Sequence, residues 1–192
     1  MPKNIVICCD GTGNEIGETI SNVLKLYRIL NKTEQQRVYY NPGVGTIGLQ
    51  NTWQRFKQNA TGVFGLATGY GLDNDVLSAY RFLSETYEEG DQIWLFGFSR
   101  GAYTARSTAG FVRNCGILRR EHVDRIDEAY ALYRDKSSKT HPRGMEATLF
   151  RRAYSCETRI HFIGVWDTRR PPSRITPCAR SRRSSAQARS VM

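Results

Sequence analysis

Three observations predict a three-layer α/β/α sandwich with a mostly parallel sheet for this chain of 192 residues. Short apolar, β-rich runs alternate with amphipathic helical segments, the pattern of a parallel sheet with helices on both faces. One run, Ile93–Phe96 (IWLF), is continuously apolar, as expected of a strand buried on both faces. The chain is also long enough to bury a core without metal or disulfide staples, which become necessary only below about 40 residues. With 40% hydrophobic and 24% charged residues the composition is globular, which excludes wholesale disorder. No run of about 18 apolar residues is present, so a membrane-spanning helix is not expected.

The elements follow in order. Asn4–Cys9 is a short apolar strand ended by the turn-forming Asp10-Gly11-Thr12-Gly13-Asn14. Ser21 is placed to cap a helix over Asn22–Asn31, with Val23, Leu24, Tyr27 and Leu30 along one face. Arg37–Tyr40 is a second strand, stopped by Asn41-Pro42-Gly43. The glycine-rich stretch 43–71 is long for a plain connection, and loops of that length are often lids or binding loops. Asp73–Glu89 reads as a helix capped by Asp73, with Val76, Leu77, Tyr80, Leu83 and Tyr87 on one side and Gly90 ending it. After the strand at Ile93–Phe96 comes a helix dense in small residues, Ala102–Asn114, with Gly116 just past its end. His122–Tyr133 is a further amphipathic helix, Asp135–Gly144 is polar, and Ile160–Trp166 (IHFIGVW) is the last apolar strand.

The net charge of +10 suggests a polyanion partner until its distribution is considered. Residues 169–192 hold seven of the 28 basic residues and none of the 18 acidic ones, which leaves +3 for the rest. Weak, salt-dependent attraction of this tail to phosphates or an anionic surface is conceivable. Without interleaved aromatics or a known module, specific nucleic-acid recognition is not expected. The five cysteines (Cys8, Cys9, Cys115, Cys156 and Cys178) show no paired spacing, which favours a reducing compartment. They do not cluster with His122, His141 or His161, so no metal site is expected. The N-terminus lacks the long apolar stretch of a signal peptide.

Gly97-Phe98-Ser99-Arg100-Gly101 carries the sharpest chemical signal. It is a G-x-S-x-G pentapeptide between an apolar strand and a helix, the context of a nucleophile elbow. Gly97 and Gly101 would remove side chains that collide with neighbouring backbone, leaving the Ser99 hydroxyl projecting above the sheet. The next helix would aim its N-terminus at developing negative charge. The plainer alternative is an ordinary strand–helix turn. A serine nucleophile needs a base, and the base an orienting acid. Asp167, at the end of the last strand, fits the chain order Ser, acid, His of α/β-hydrolases, although a strand-end turn residue reads the same way. No histidine follows Asp167, so the triad is incomplete as written.

The loop Asp10–Asn14 has three readings. It is an oxyanion loop, in which the backbone of Gly11 or Thr12 acts with Arg100; a phosphate-binding turn; or a structural turn. The phosphate-binding turn of haloacid-dehalogenase phosphatases would need its nucleophilic aspartate where Cys8 stands.

Five blocks occur together and in order: CCDGTGNE at 8–15, SNVLKLYR at 21–28, YYNPGVGT at 39–46, GLATGYGLDNDVLSAYRFLSETYEEGDQIWLFGFSRGAYTAR at 65–106, and FIGVWDT at 162–168. Over residues 3–168 the chain resembles the catalytic domain of the phospholipase effectors of type VI secretion, an α/β-hydrolase family. The resemblance implies Ser99 as nucleophile, Asp167 as triad acid, Asp10, Gly11 and Thr12 as the loop facing them, and a phospholipid or other acyl-ester substrate without a cofactor. A cognate immunity protein or secretion-system component is the implied partner. The implied location is the cytoplasm, or delivery by a type VI system without a signal peptide. The family histidine lies downstream of the WDT block and has no counterpart here.

From Arg169 the family pattern gives way to RRPPSRITPCARSRRSSAQARSVM. The expected organisation is therefore a partial α/β-hydrolase domain over 1–168, incomplete at its C-terminus, followed by a basic, disordered tail over 169–192. This is the expectation for a truncated or frameshifted member. The competing expectations are a non-catalytic remnant and a weak anionic-surface or nucleic-acid binder through the Arg-rich tail.

Overall fold

A computed structural model describes residues 1–11, 20–43 and 70–166. Within them lie β1 (Asn4–Cys9), α1 (Asn22–Ile29), β2 (Gln36–Asn41), α2 (Tyr70–Thr86), β3 (Gln92–Phe98) and α3 (Arg100–Cys115). The short β4 (Ile117–Leu118) follows, then α4 (Ile126–Arg134), α5 (Met145–Tyr154), β5 (Ser155–Cys156) and β6 (Ile160–Trp166). The main sheet has the order β2-β1-β3-β6 with every pairing parallel, and β4 and β5 form a small antiparallel pair. This is the mostly parallel sheet of a three-layer α/β fold.

Alternation along the central strands divides the core. Ile5, Ile7 and Cys9 of β1 and Ile93 and Leu95 of β3 point to one face. There they pack against Val76, Ala79, Tyr80 and Leu83 of α2 and Ala105, Phe111, Val112 and Cys115 of α3. Tyr80 shows how tightly this side is built. Its ring stacks on Phe111 at 3.8 Å between centroids, while its hydroxyl donates to the Gly116 carbonyl (2.8 Å) and accepts from Leu118 N–H (3.3 Å). A buried phenol needs such partners to offset its desolvation.

The other face is less complete. Val6 and Cys8 lie buried under Val23 of α1, but Trp94, Phe96, Phe98 and Trp166 remain only half-buried. The continuous apolar run of β3 predicted full burial on both sides. Among the described residues a single eight-residue helix, α1, packs on that side, against both β1 and β3.

Other boundaries shift for identifiable reasons. Ser21 caps α1 as expected, its Oγ accepting from Leu24 N–H at 3.0 Å. Asp73 does not cap α2, because the helix already starts at Tyr70. Its carboxylate instead takes the Tyr130 hydroxyl at 2.6 Å and Arg134 at 3.3 Å, tying α2 to α4. The expected helix over His122–Tyr133 is broken: a 3₁₀ turn spans Arg120–Arg125, His122 leaves helical dihedrals, and α4 begins only at Ile126. The basic, disordered tail expected over 169–192 lies outside the described residues, as do 44–69.

Candidate active site

β3 ends at Phe98 and α3 begins at Arg100, so one residue makes the whole reversal. That residue is Ser99, with φ 53° and ψ −118°, the sole non-glycine with positive φ among the described residues. A side chain in this region costs of order 1–3 kcal/mol and persists only where its surroundings impose it. The surroundings do so through the two flanking glycines. A Cβ on Gly97 would strike the Gly101 carbonyl oxygen and lie 2.6 Å from Ala102 Cα. A Cβ on Gly101 would strike the Cys9 carbonyl and lie 2.6 Å from the Asp10 oxygen. α3 therefore starts in contact with the end of β1, a proximity that only glycine permits. Ser99 and Arg100 are exposed at this edge.

Two neighbours frame the serine at the C-terminal edge of the sheet. On one side, Ser99 N–H donates to the Trp166 carbonyl at 3.2 Å, which binds the turn to the last residue of β6. Asp167 is the next residue in the chain and lies outside the described residues, as does Thr12. On the other side, Gly11 follows β1, and a Cβ built there would lie 3.1 Å from Ser99 Cβ. The structure thus brings Gly97, Ser99, Arg100, Gly101 and Gly11 together.

The donors near Ser99 are not equivalent. Arg100 N–H belongs to the first turn of α3, where backbone donors have no intrahelical partner and the helix dipole favours negative charge. Gly11 N–H donates to Asp10 Oδ1 at 2.8 Å.

Asp10 is a larger part of the site than its place in a turn motif suggests. It is buried, and besides Gly11 N–H its carboxylate accepts from Ser21 Oγ (2.5 Å) and the Tyr40 hydroxyl (2.8 Å). The strand-end loop, the start of α1 and β2 are thereby pinned at one point. Burial, then the Asp10 hydrogen bond, pushes the Tyr40 hydroxyl pKa upward. Asp10 N–H meanwhile donates to the Asn41 carbonyl at 2.8 Å.

Asp75 of α2 reaches the same edge, accepting from Asn41 Nδ2 at 3.1 Å. Burial raises its pKa, with the Asn41 hydrogen bond and the charge of Arg100 opposing. Its partner lies 34 positions away, so no local pattern exposes it.

No described histidine reaches Ser99. His161 packs on Trp94 at 4.4 Å, beside a position five residues before Ser99 on β3, or roughly 16 Å along a strand. His122 stands edge-on to Tyr154, and His141 Nδ1 accepts from Arg143 N–H. Cys8 and Cys9 are buried beneath the site, and burial pushes the Cys8 thiol up to about 12, so it stays protonated at neutral pH. Among the described residues no group of His, Cys, Asp and Glu could hold a metal ion, and no helix is long and apolar enough to cross a membrane.

A parallel α/β sheet whose C-terminal edge carries a strained serine at a helix N-terminus defines a protein of the hydrolase-like α/β class. The chain belongs to the family of T6SS phospholipase effector Tle1-like catalytic domains, which it matches over residues 3–187. It is also similar to an uncharacterized protein of Saccharomyces cerevisiae, YEL023C, at 32% identity over 180 residues. That alignment covers 86% of this chain but 26% of the yeast protein, so the chain spans about a quarter of that relative's length. No solved structure matches the chain.

Proposed function

We propose that this chain carries the nucleophile half of a serine hydrolase that cleaves acyl esters of phospholipids. Family membership supports a phospholipase-type hydrolase, and the single observation that supports the residue assignment is the backbone of Ser99. A strained φ enforced by two glycines projects a hydroxyl over a helix N-terminus. An ordinary strand–helix turn has no need of either feature.

In this reading Ser99 Oγ attacks the ester carbonyl. The tetrahedral oxyanion forms next to Arg100 N–H, a donor already oriented by α3 and therefore costing no reorganisation as charge develops. Gly11 or Thr12 supplies a second donor. For Gly11 this requires its N–H to turn away from Asp10, so Arg100 is the principal donor. Asp167, one residue past the carbonyl that holds Ser99 N–H, orients a histidine. That histidine would have to follow Asp167, and residues 168–192 contain none.

Loss of the base costs about 10⁶ in kcat in a comparable triad. The purified 192-residue chain is therefore expected to show little or no hydrolysis of short-chain p-nitrophenyl esters, with any trace vanishing in Ser99→Ala. Fusing the corresponding downstream segment of a family member after Thr168 is expected to restore turnover. Robust hydrolysis by the unmodified chain, abolished in His122→Ala, would contradict the incomplete triad.

A further inference from the structure

The peptide joining Asp10 to Gly11 is fixed on both of its sides. Its N–H, that of Gly11, donates to Asp10 Oδ1 at 2.8 Å. Its carbonyl, that of Asp10, is wedged between two glycines: a Cβ would lie 2.6 Å from the oxygen on Gly101 and 2.8 Å from it on Gly43. Fixing this peptide fixes Gly11, which has no slack beside the elbow. A Cβ built on Gly11 would lie 3.1 Å from Ser99 Cβ, 3.2 Å from Phe98 Cδ1 and 3.3 Å from the Phe98 carbonyl oxygen. Gly11 therefore forms a wall along one flank of the serine.

The carboxylate that holds this wall is itself held from outside the loop. Its Oδ2 accepts from Ser21 Oγ at the start of α1 and from the Tyr40 hydroxyl of β2 at 2.8 Å. Ser21 is kept in place by its capping bond from Leu24 N–H, and Tyr40 by stacking on Tyr27 at 4.8 Å between centroids. Burial and the bond to Asp10 raise the Tyr40 pKa, so the hydroxyl remains a donor at neutral pH. With Ser21 and Tyr40 on one oxygen and Gly11 on the other, the carboxylate cannot turn without breaking a bond.

We propose that Asp10 is a positioning residue for the nucleophile: oriented by Tyr40 and Ser21, its carboxylate holds Gly11 against Ser99 and so confines the side chain from which Oγ attacks. This inference rests on the hydrolase reading of Ser99. The strained backbone sets where the serine side chain leaves the turn, but rotation about Cα–Cβ has three staggered wells. A wall on one flank removes part of that freedom before a substrate arrives. Misplacement of a reacting atom by about 1 Å costs on the order of 100-fold in rate, so the effect belongs to the chemical step. A buried hub that only tied β1, α1 and β2 together would show in stability alone.

Saturation kinetics of a fluorophosphonate on the full chain, in imidazole, separate the two roles. Ser99 Oγ bonds to phosphorus as fluoride leaves, and imidazole takes the hydroxyl proton. Asp10→Asn leaves a single acceptor oxygen for three donors. It is expected to lower the limiting rate of modification about 100-fold, with the half-saturating concentration unchanged within about twofold. Tyr40→Phe is the milder variant, keeping both the ring stack and the carboxylate, and is expected to slow the limiting rate roughly 10-fold. Because both substitutions act through Gly11, the double variant should be no slower than Asp10→Asn alone. Tyr27→Phe removes a hydroxyl from the same ring stack but none from Asp10, and should react at the parent rate. Denaturant midpoints identify which variants are folded at the assay temperature. The proposal is overturned if folded Tyr40→Phe reacts at the parent limiting rate, or if slowing lies wholly in the half-saturating concentration. A parent chain unmodified at Ser99 would overturn the hydrolase reading itself, and this inference with it.

Discussion

Ser99 pays for its orientation in backbone energy, and the size of that cost is measurable. Replacing it with glycine, which adopts φ 53° without steric penalty, is expected to raise the unfolding free energy by about 1 kcal/mol, less than the full strain because glycine loses more entropy on folding. Ser99→Ala keeps the strain and should leave stability nearly unchanged. Denaturant unfolding of the three proteins distinguishes a strained turn from a relaxed one; equal midpoints for Ser99→Gly and the parent would show that no strain is stored. Gly101→Ala acts in the opposite sense. Its Cβ meets backbone of β1 on a rigid strand end, so a loss of about 2–4 kcal/mol is expected. The pentapeptide was legible because its spacing is local. The hydrogen-bond roles of Asp10 and Asp75 were not, since Tyr40 stands 30 residues from Asp10 and Asn41 stands 34 from Asp75.

Among the elements, β1 and β6 have the boundaries read from the sequence, because each is a compact apolar run with turn residues or polar chain on both sides. The break at His122 escaped because the apolar positions Val123, Ile126 and Tyr130 keep a helical spacing across it, and periodicity does not register a change from 3₁₀ to α winding. The half-open face of β3 escaped for a different reason. A run of apolar residues reports what a strand could bury, whereas the elements packed on each face decide what it does bury.

The N-terminal end of the sheet is held by Asp91, between α2 and β3. Its carboxylate accepts from Lys3 N–H and Glu88 N–H and pairs with Lys3 Nζ at 2.7 Å. Burial alone would raise the Asp91 pKa; the hydrogen bonds from Lys3 and Glu88 and the Lys3 charge outweigh it and lower the value. A carboxyl with a depressed folded pKa contributes stability that is present above its ordinary pKa near 4 and lost as pH falls through the folded value. Stability should therefore decline from about pH 4 downward, and Asp91→Asn should flatten that part of the profile in urea titrations. An unchanged slope would remove Asp91 from the account of acid sensitivity.

At the scale of the molecule, the described residues assemble four parallel strands and bring a serine, a glycine loop and the end of β6 to one edge. A histidine able to act on that serine is absent from the described residues around it and from the sequence after Asp167. The most direct test is covalent labelling with a fluorophosphonate, mapped by mass spectrometry, in the absence and presence of imidazole. Ser99 as a nucleophile without its base predicts slow modification at Ser99 alone, accelerated by imidazole and lost in Ser99→Ala. Modification at another residue, or rapid labelling of Ser99 that imidazole does not change, would contradict it.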